Sequence, residues 1–258
     1  MKQQSPPGQI WFKKKCKAGF LLLILCISFG LGSCISAALK AEEYYAIGAA
    51  YFDLKKYDEA AMWFNRSKFH RVTKTASEYY LGRIAYAQAR YKEAILFFER
   101  ILEKDQENIT ALKAAAYTCI KTEELEKAGD YYRRVLTLVP ESSDEGFNYA
   151  MVLLAMDKNE EAEQALIKYN NTENPQALLL LARAQRRLGK PEAADAYSAS
   201  LLKGGNDNVR LEYAEYLESQ ELHEQALAEY RLILENETAE EGLKEQAREA
   251  LGRLEEEK

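Results

Sequence analysis

Residue types able to carry chemistry are thinly spread along this chain, and their spacing limits what they can do. The two histidines, His70 and His223, are far apart in sequence, and neither has a second ligand at metal-binding spacing. The carboxylate pairs Glu42-Glu43 and Glu160-Glu161 lie in helix-forming sequence, where they read as solvated faces rather than as acid–base partners. Gly189-Lys190 is followed by Pro191 where a phosphate-binding loop would place Ser or Thr. Cys119 falls at an inward position of an apolar stretch and reads as a small buried hydrophobe. The other cysteines, Cys16, Cys26 and Cys34, all lie near the N-terminus, so no disulfide framework is expected. These residues predict no catalytic set, no metal site and no cofactor. The chemistry left to the chain is recognition.

The elements that would position such a surface are written into the sequence as a repeat. Tyr57-Asp58-Glu59-Ala60-Ala61-Met62-Trp63-Phe64 returns after 34 residues as Tyr91-Lys92-Glu93-Ala94-Ile95-Leu96-Phe97-Phe98. The same interval leads to Leu125–Tyr132 and then to Asn159–Leu166. With 5 Pro and 13 Gly in 258 residues and abundant Ala, Leu, Glu and Lys, the units are predicted to be helical. The net charge of −6 conceals an asymmetry, because the first 33 residues hold five lysines and no acid, which leaves −11 on the remainder. A body that acidic is a poor general ligand for nucleic acid.

Aligned on the recurring alanine, six units begin near Ala41, Thr75, Ile109, Ser143, Pro175 and Asp207. Small residues recur in each first helix (Gly48, Gly82, Ala116, Ala150, Ala182, Ala214) and again in each second helix (Ala60, Ala94, Ala128, Ala162, Ala193 or Ala194, Ala226). A large residue follows as Phe64, Phe98, Tyr132, Leu166, Tyr197 and Tyr230. Small residues on facing sides let two helices approach closely while the large one fills the gap toward the next pair. The pattern resembles the tetratricopeptide repeat (TPR) from residue 41 onward. The early Trp of that family is missing, with Tyr44, Leu112 or Leu178 in its place. A Pro closing a repeat is expected at Pro140 and, one residue late, at Pro175. The fifth unit is one residue short around Leu188–Pro191, and Gly204–Asp207 forms a looser connection. The resemblance implies an all-α fold, a TPR-type α-solenoid of about six helix–turn–helix repeats over 41–238. A helix over 239–258, apolar along Leu243, Ala247, Leu251 and Leu254, is expected to cap it.

In that family the first helices line a groove. The resemblance therefore assigns partner-binding positions to Tyr45 and Phe52 in the first unit and to Tyr79, Arg83 and Tyr86 in the second. The third unit contributes Lys113, Tyr117 and Lys121, the fourth Phe147, Met151 and Leu154, and the fifth Arg183, Arg186 and Arg187. The sixth turns acidic, with Glu215 and Glu218. Family members that grip a terminal carboxylate use Lys and Asn where this chain has Tyr45 and Ala49, so that activity does not carry over. The arginine cluster is expected to meet an acidic segment of the partner.

The N-terminus supplies the address. Lys13-Lys14-Lys15-Cys16-Lys17 precedes an uncharged run from Ala18 to Leu39, the layout of a secretory signal. Within the run, Leu31-Gly32-Ser33-Cys34 resembles the lipobox of bacterial lipoproteins, which implies a signal peptide over 1–33 and a lipid on Cys34. An uncleaved anchor is the other reading, since a run this long can span a bilayer. Under either, the body is tethered and faces away from the cytoplasm, at the cell membrane or the outer membrane. Ile35 after the Cys favours the outer membrane by the same resemblance. Residues 34–40 would form a short tether with an extended reach of at most ~20 Å. The combined expectation is a non-enzymatic envelope scaffold that binds a protein or peptide in its groove. The alternative is a cell-wall binder that stacks peptidoglycan or another carbohydrate on the tyrosines.

Overall fold

The structure, a computed structural model, describes residues 36–169 and 173–256. The signal peptide expected over 1–33 and the lipidated Cys34 lie outside these residues. No strand occurs among the described residues. They form two compact units, divided after Lys104. The first contains α1 (36–53), α2 (Tyr57–Ser67), α3 (Lys74–Ala87) and α4 (Tyr91–Leu102). The second contains α5 (Ile109–Lys121), α6 (Leu125–Leu138), α7 (Ser143–Ala155), α8 (Asn159–Lys168) and α9 (Pro175–Arg187). It continues through α10 (Ala193–Leu202), α11 (Asp207–Ser219), α12 (His223–Glu235) and α13 (Glu241–Glu256).

The spacing of small and large residues accounts for the packing inside each unit. All six large residues of the second helices are buried, from Phe64, Tyr197 and Tyr230 at 0–1% exposure to Leu166 at 7%. Opposite them the backbones come close. A Cβ on Gly82 would stand 2.6 Å from the ring of Phe98, so only glycine fits that crossing. Truncating one of these aromatic side chains would cost about 3–5 kcal/mol, from lost transfer energy and the cavity left behind. In the second unit, α13 lies on α11 and α12 and buries Leu243, Ala247, Ala250 and Leu254, as a terminal cap must.

Each hairpin turns through one residue in the left-handed region: Lys55, Ala89, Glu123, Asp157, Gly189 and Glu221, with φ between 56° and 67°. The residue after it donates back to a carbonyl five positions earlier, as Arg90 N does to Ala85 O at 2.8 Å and Glu124 N to Cys119 O at 2.9 Å. This is the Schellman arrangement, which satisfies carbonyls the helix end would otherwise leave unpaired. Among the first helices of the second unit, α5, α9 and α11 are capped by Asn108, Asn174 and Asn206, whose side-chain oxygens accept from backbone N–H groups.

Three expectations change in detail. Residues 36–40, expected as a tether, are already the first turns of α1. Ala37, Ala38, Leu39 and Lys40 all favour helix, and a helix advances about 1.5 Å per residue, less than half the extended reach. Pro140 follows the end of α6, but Pro175 opens α9 at its first turn, where its missing N–H leaves no bond unmade. The short fifth unit keeps its left-handed residue at Gly189 and takes up the deletion in the next turn. There Ala193 N and Ala194 N reach back only three residues, to Lys190 O and Pro191 O, so Ala193 rather than Ala194 enters the core.

Candidate functional site

In the first unit, α1 and α3 present a connected set of rings. Tyr80 is its hub, with ring centroids 4.8 Å from Phe64, 5.1 Å from Phe52 and 5.8 Å from Tyr45. Tyr79 lies edge-on to Tyr80 and tilted against Phe98. Edge-to-face and offset pairs of this kind are the favoured aromatic geometries. Burial, with the Tyr80 hydroxyl alongside, pushes the Tyr45 phenol above its ordinary value. Tyr45 and Phe52 are thus partly spent on packing the first repeat against the second, while each keeps one flank in solvent.

Arg83 is seated on this floor. Its guanidinium carbon stands 4.6 Å from the centroid of Phe52, 5.3 Å from Tyr80 and 5.8 Å from Tyr79. It is exposed and makes no ion pair among the described residues. Aromatic rings rather than a carboxylate meet this cation, so it can still take a carboxylate brought by a partner. Tyr86 packs against Tyr91 at the end of the same helix pair, 5.3 Å between centroids.

The second unit treats its cations differently. Lys113 bridges Glu145, a buried carboxylate one repeat further on. Arg183 grips Glu212 with both prongs, Nε at 2.9 Å and Nη2 at 2.5 Å. Arg186 stands 3.9 Å from Glu215 and donates to Glu212 O. Arg187 donates to Leu154 O at 2.9 Å and approaches Asp157. The expectation that Arg183, Arg186 and Arg187 wait for an acidic partner is corrected: their donors join α9 to α11 and to the end of α7. The reason is register, since acids at 212 and 215 follow the arginines by one repeat less one helical turn. Tyr117 remains half exposed with Lys121 over its ring at 5.9 Å, Phe147 packs into the core around Ala150, and Met151 stays exposed while Leu154 is buried.

Sequence reasoning missed Tyr80, although its place next to Tyr79 put it within reach of both helices. It also missed the buried acid Glu163, which accepts from Gln185 and Lys190 and holds the Lys190 ammonium above its ordinary pKa. The looser connection at 203–206 leaves a cavity of about 280 Å³ between α9 and α11, walled by the Arg183–Glu212 pair. Cys119 is fully buried. Among the described residues no group of His, Cys, Asp and Glu gathers in a metal-binding arrangement, and no helix is long and apolar enough to cross a membrane.

Comparisons with known proteins agree with this architecture. Models of the tetratricopeptide repeat match residues 41–68 and 149–209, and the model of "Anaphase-promoting complex, cyclosome, subunit 3" matches 87–169. An "Uncharacterized lipoprotein" of Treponema pallidum is 26% identical over 126 residues, 49% of this chain, which spans 64% of that relative's length. A tetratricopeptide repeat protein from Parabacteroides merdae superposes with a TM-score of 0.65 at 18% identity, covering 84% of this chain and 93% of its own. YrrB, described as "a TPR protein with an unusual peptide-binding site", gives 0.59 at 15% identity over 69% of this chain and 90% of its own. MamA from Desulfovibrio magneticus gives 0.59 at 16% identity over 64% and 94%. Repeating small residues, Schellman turns in register and these matches lead to one conclusion: the chain is a tetratricopeptide repeat protein.

Proposed function

We propose that this protein is a membrane-tethered, non-enzymatic adaptor that holds a protein or peptide segment on the α1–α3 face, in the assembly or maintenance of a cell envelope. The observation that carries the reading is Arg83, an exposed guanidinium on three aromatic rings with no ion pair among the described residues. That arrangement suits a peptide carboxylate whose neighbouring side chains lie flat on Phe52 and Tyr79. Arg and Tyr are the residues that most often anchor protein interfaces. Peptide binding by YrrB, on the same fold, is in keeping with this use of the surface.

The tether rests on Leu31-Gly32-Ser33-Cys34 and on the relative described as a lipoprotein. It puts the body outside the cytoplasm on a lipid at Cys34. Crosslinking in intact cells from a photoreactive residue in place of Tyr86 tests the binding half. A discrete protein adduct that disappears with Arg83→Gln is the expected result, and an adduct that ignores Arg83→Gln overturns the anchor. Labelled palmitate tests the tether half: incorporation that is lost with Cys34→Ala supports it, and no incorporation into the native chain removes it.

A further inference from the structure

One acid-free stretch of the first unit leaves its cations without acids, unlike the acid-free stretch 174–191, where Arg183, Arg186, Arg187 and Lys190 are all ion-paired. Between Ala60 and Ser77 there is no acid, yet Arg66, Lys68, Arg71 and Lys74 all fall there, in a body whose net charge is −11. None of the four makes an ion pair among the described residues. Between them the α2–α3 loop displays Phe69 at 86% exposure and Val72 at 63%. Large apolar side chains this bare, flanked by unpaired cations, have no role in packing the repeats.

The loop is held rigidly at a particular place. Ser67 is fully buried and its hydroxyl donates to Ala41 O at 2.8 Å, which fastens the loop to the N-terminal end of α1. Buried Thr73 donates to Ser67 O at 2.7 Å and closes the loop on itself. Behind it Trp63 packs against Tyr44, with the Arg66 guanidinium 4.8 Å from the Trp63 ring. Leu39, on the first turns of α1, is 61% exposed beside this end. Only Ile35 separates Cys34 from the described start of α1, so whatever holds Cys34 holds this end of the repeat close to it.

Basic side chains interleaved with aromatic and aliphatic ones are the composition of segments that lie in the headgroup region of an anionic bilayer. We propose that the α2–α3 loop is a membrane-contact site: Phe69 and Val72 enter the boundary between headgroups and acyl chains, while Arg66, Lys68, Arg71 and Lys74 meet lipid phosphates. The site goes beyond the tether, because it fixes which end of the repeat lies on the membrane and leaves the Arg83 face free to bind.

The test uses the full chain, reconstituted through its own N-terminal segment into vesicles of phosphatidylcholine with or without phosphatidylglycerol. A benzophenone amino acid replaces either Phe69 or Leu54, the latter in the turn at the far end of α1, about 20 Å along the helix from Ala41, where the loop is fastened. Illumination is expected to give lipid adducts at 69, several-fold more with phosphatidylglycerol than without and several-fold more than at 54. The quadruple variant Arg66→Gln, Lys68→Gln, Arg71→Gln, Lys74→Gln, checked for unchanged helicity, should lose the dependence on phosphatidylglycerol. Equal adducts at 69 and 54 overturn the site, and so does a protein adduct at 69 when native membranes replace the vesicles. A chain that does not float with the vesicles removes the tether and the loop site together. One that floats without lipid adducts at 69 removes the loop site alone.

Discussion

A cation on a protein surface is worth what its neighbours leave it free to do. Arg83 and Arg183 are both exposed or half-exposed guanidiniums on first helices, yet one rests on rings and the other on a carboxylate. Changing Arg183, Arg186 and Arg187 together to Ser should therefore loosen the second unit. Half-exposed pairs contribute about 0.2–1 kcal/mol each, so the urea midpoint should fall by an amount corresponding to roughly 1–2 kcal/mol. Arg83→Gln should leave the midpoint nearly unchanged, since an exposed cation–π contact contributes only about 0.5–1 kcal/mol. The buried phenols make a second test. Burial raises the pKa of Tyr132 and Tyr197, and for Tyr230 a hydroxyl donating to Glu218 at 2.7 Å adds to it. Below the ordinary value of 10.0 both folded and unfolded chains keep these protons. Above it the unfolded chain releases them first, so stability should decline as pH rises past about 10. Denaturant midpoints measured up to about pH 11 should show the decline, and Tyr230→Phe should flatten it.

At the level of the helical hairpin, the turns were the least legible part of the sequence. The close crossings announce themselves through glycine and alanine at fixed intervals, and Gly82 under Phe98 is where that reading is sharpest. The left-handed turn residue does not announce itself, because Lys, Ala, Glu and Asp fill five of the six positions and only Gly189 carries the expected type. Those five turns persist because the hydrogen bonds of the motif and the packing of the two helices outweigh a local penalty of about 1–2 kcal/mol. Glu123→Gly should accordingly raise stability by about 0.5–1 kcal/mol, and Gly189→Ala should lower it by about 1 kcal/mol. Equilibrium unfolding in urea separates the two signs, and matching effects would mean that Glu123 gains something from its side chain that its position does not show. The arginine ties were hidden for a related reason: residues 29 apart meet only once helix phase and repeat length are combined, and the sequence shows the repeat length alone.

For the molecule as a whole, the sequence disclosed the repeat and the charge balance, but not where charge of each sign collects. The body carries the surplus of acid, whereas Arg83 and the four cations around the α2–α3 loop make no ion pair among the described residues. A bilayer rich in phosphatidylglycerol therefore pulls on the α2–α3 loop and pushes on the acidic remainder. Salt acts on both forces, because the screening length shrinks from about 10 Å at 0.1 M to about 3 Å at 1 M. In the native chain the short-range attraction of the loop sets the contact, so lipid adducts at position 69 should fall as salt rises. Removing the four loop cations takes the body from −11 to −15 and leaves only repulsion. For that variant salt should increase the adducts, since screening lets the tethered body settle toward the surface. Opposite slopes against salt, measured on the same vesicles, are the signature of a body oriented by its own charge distribution. Parallel slopes would mean that the tether alone decides how close the protein stands.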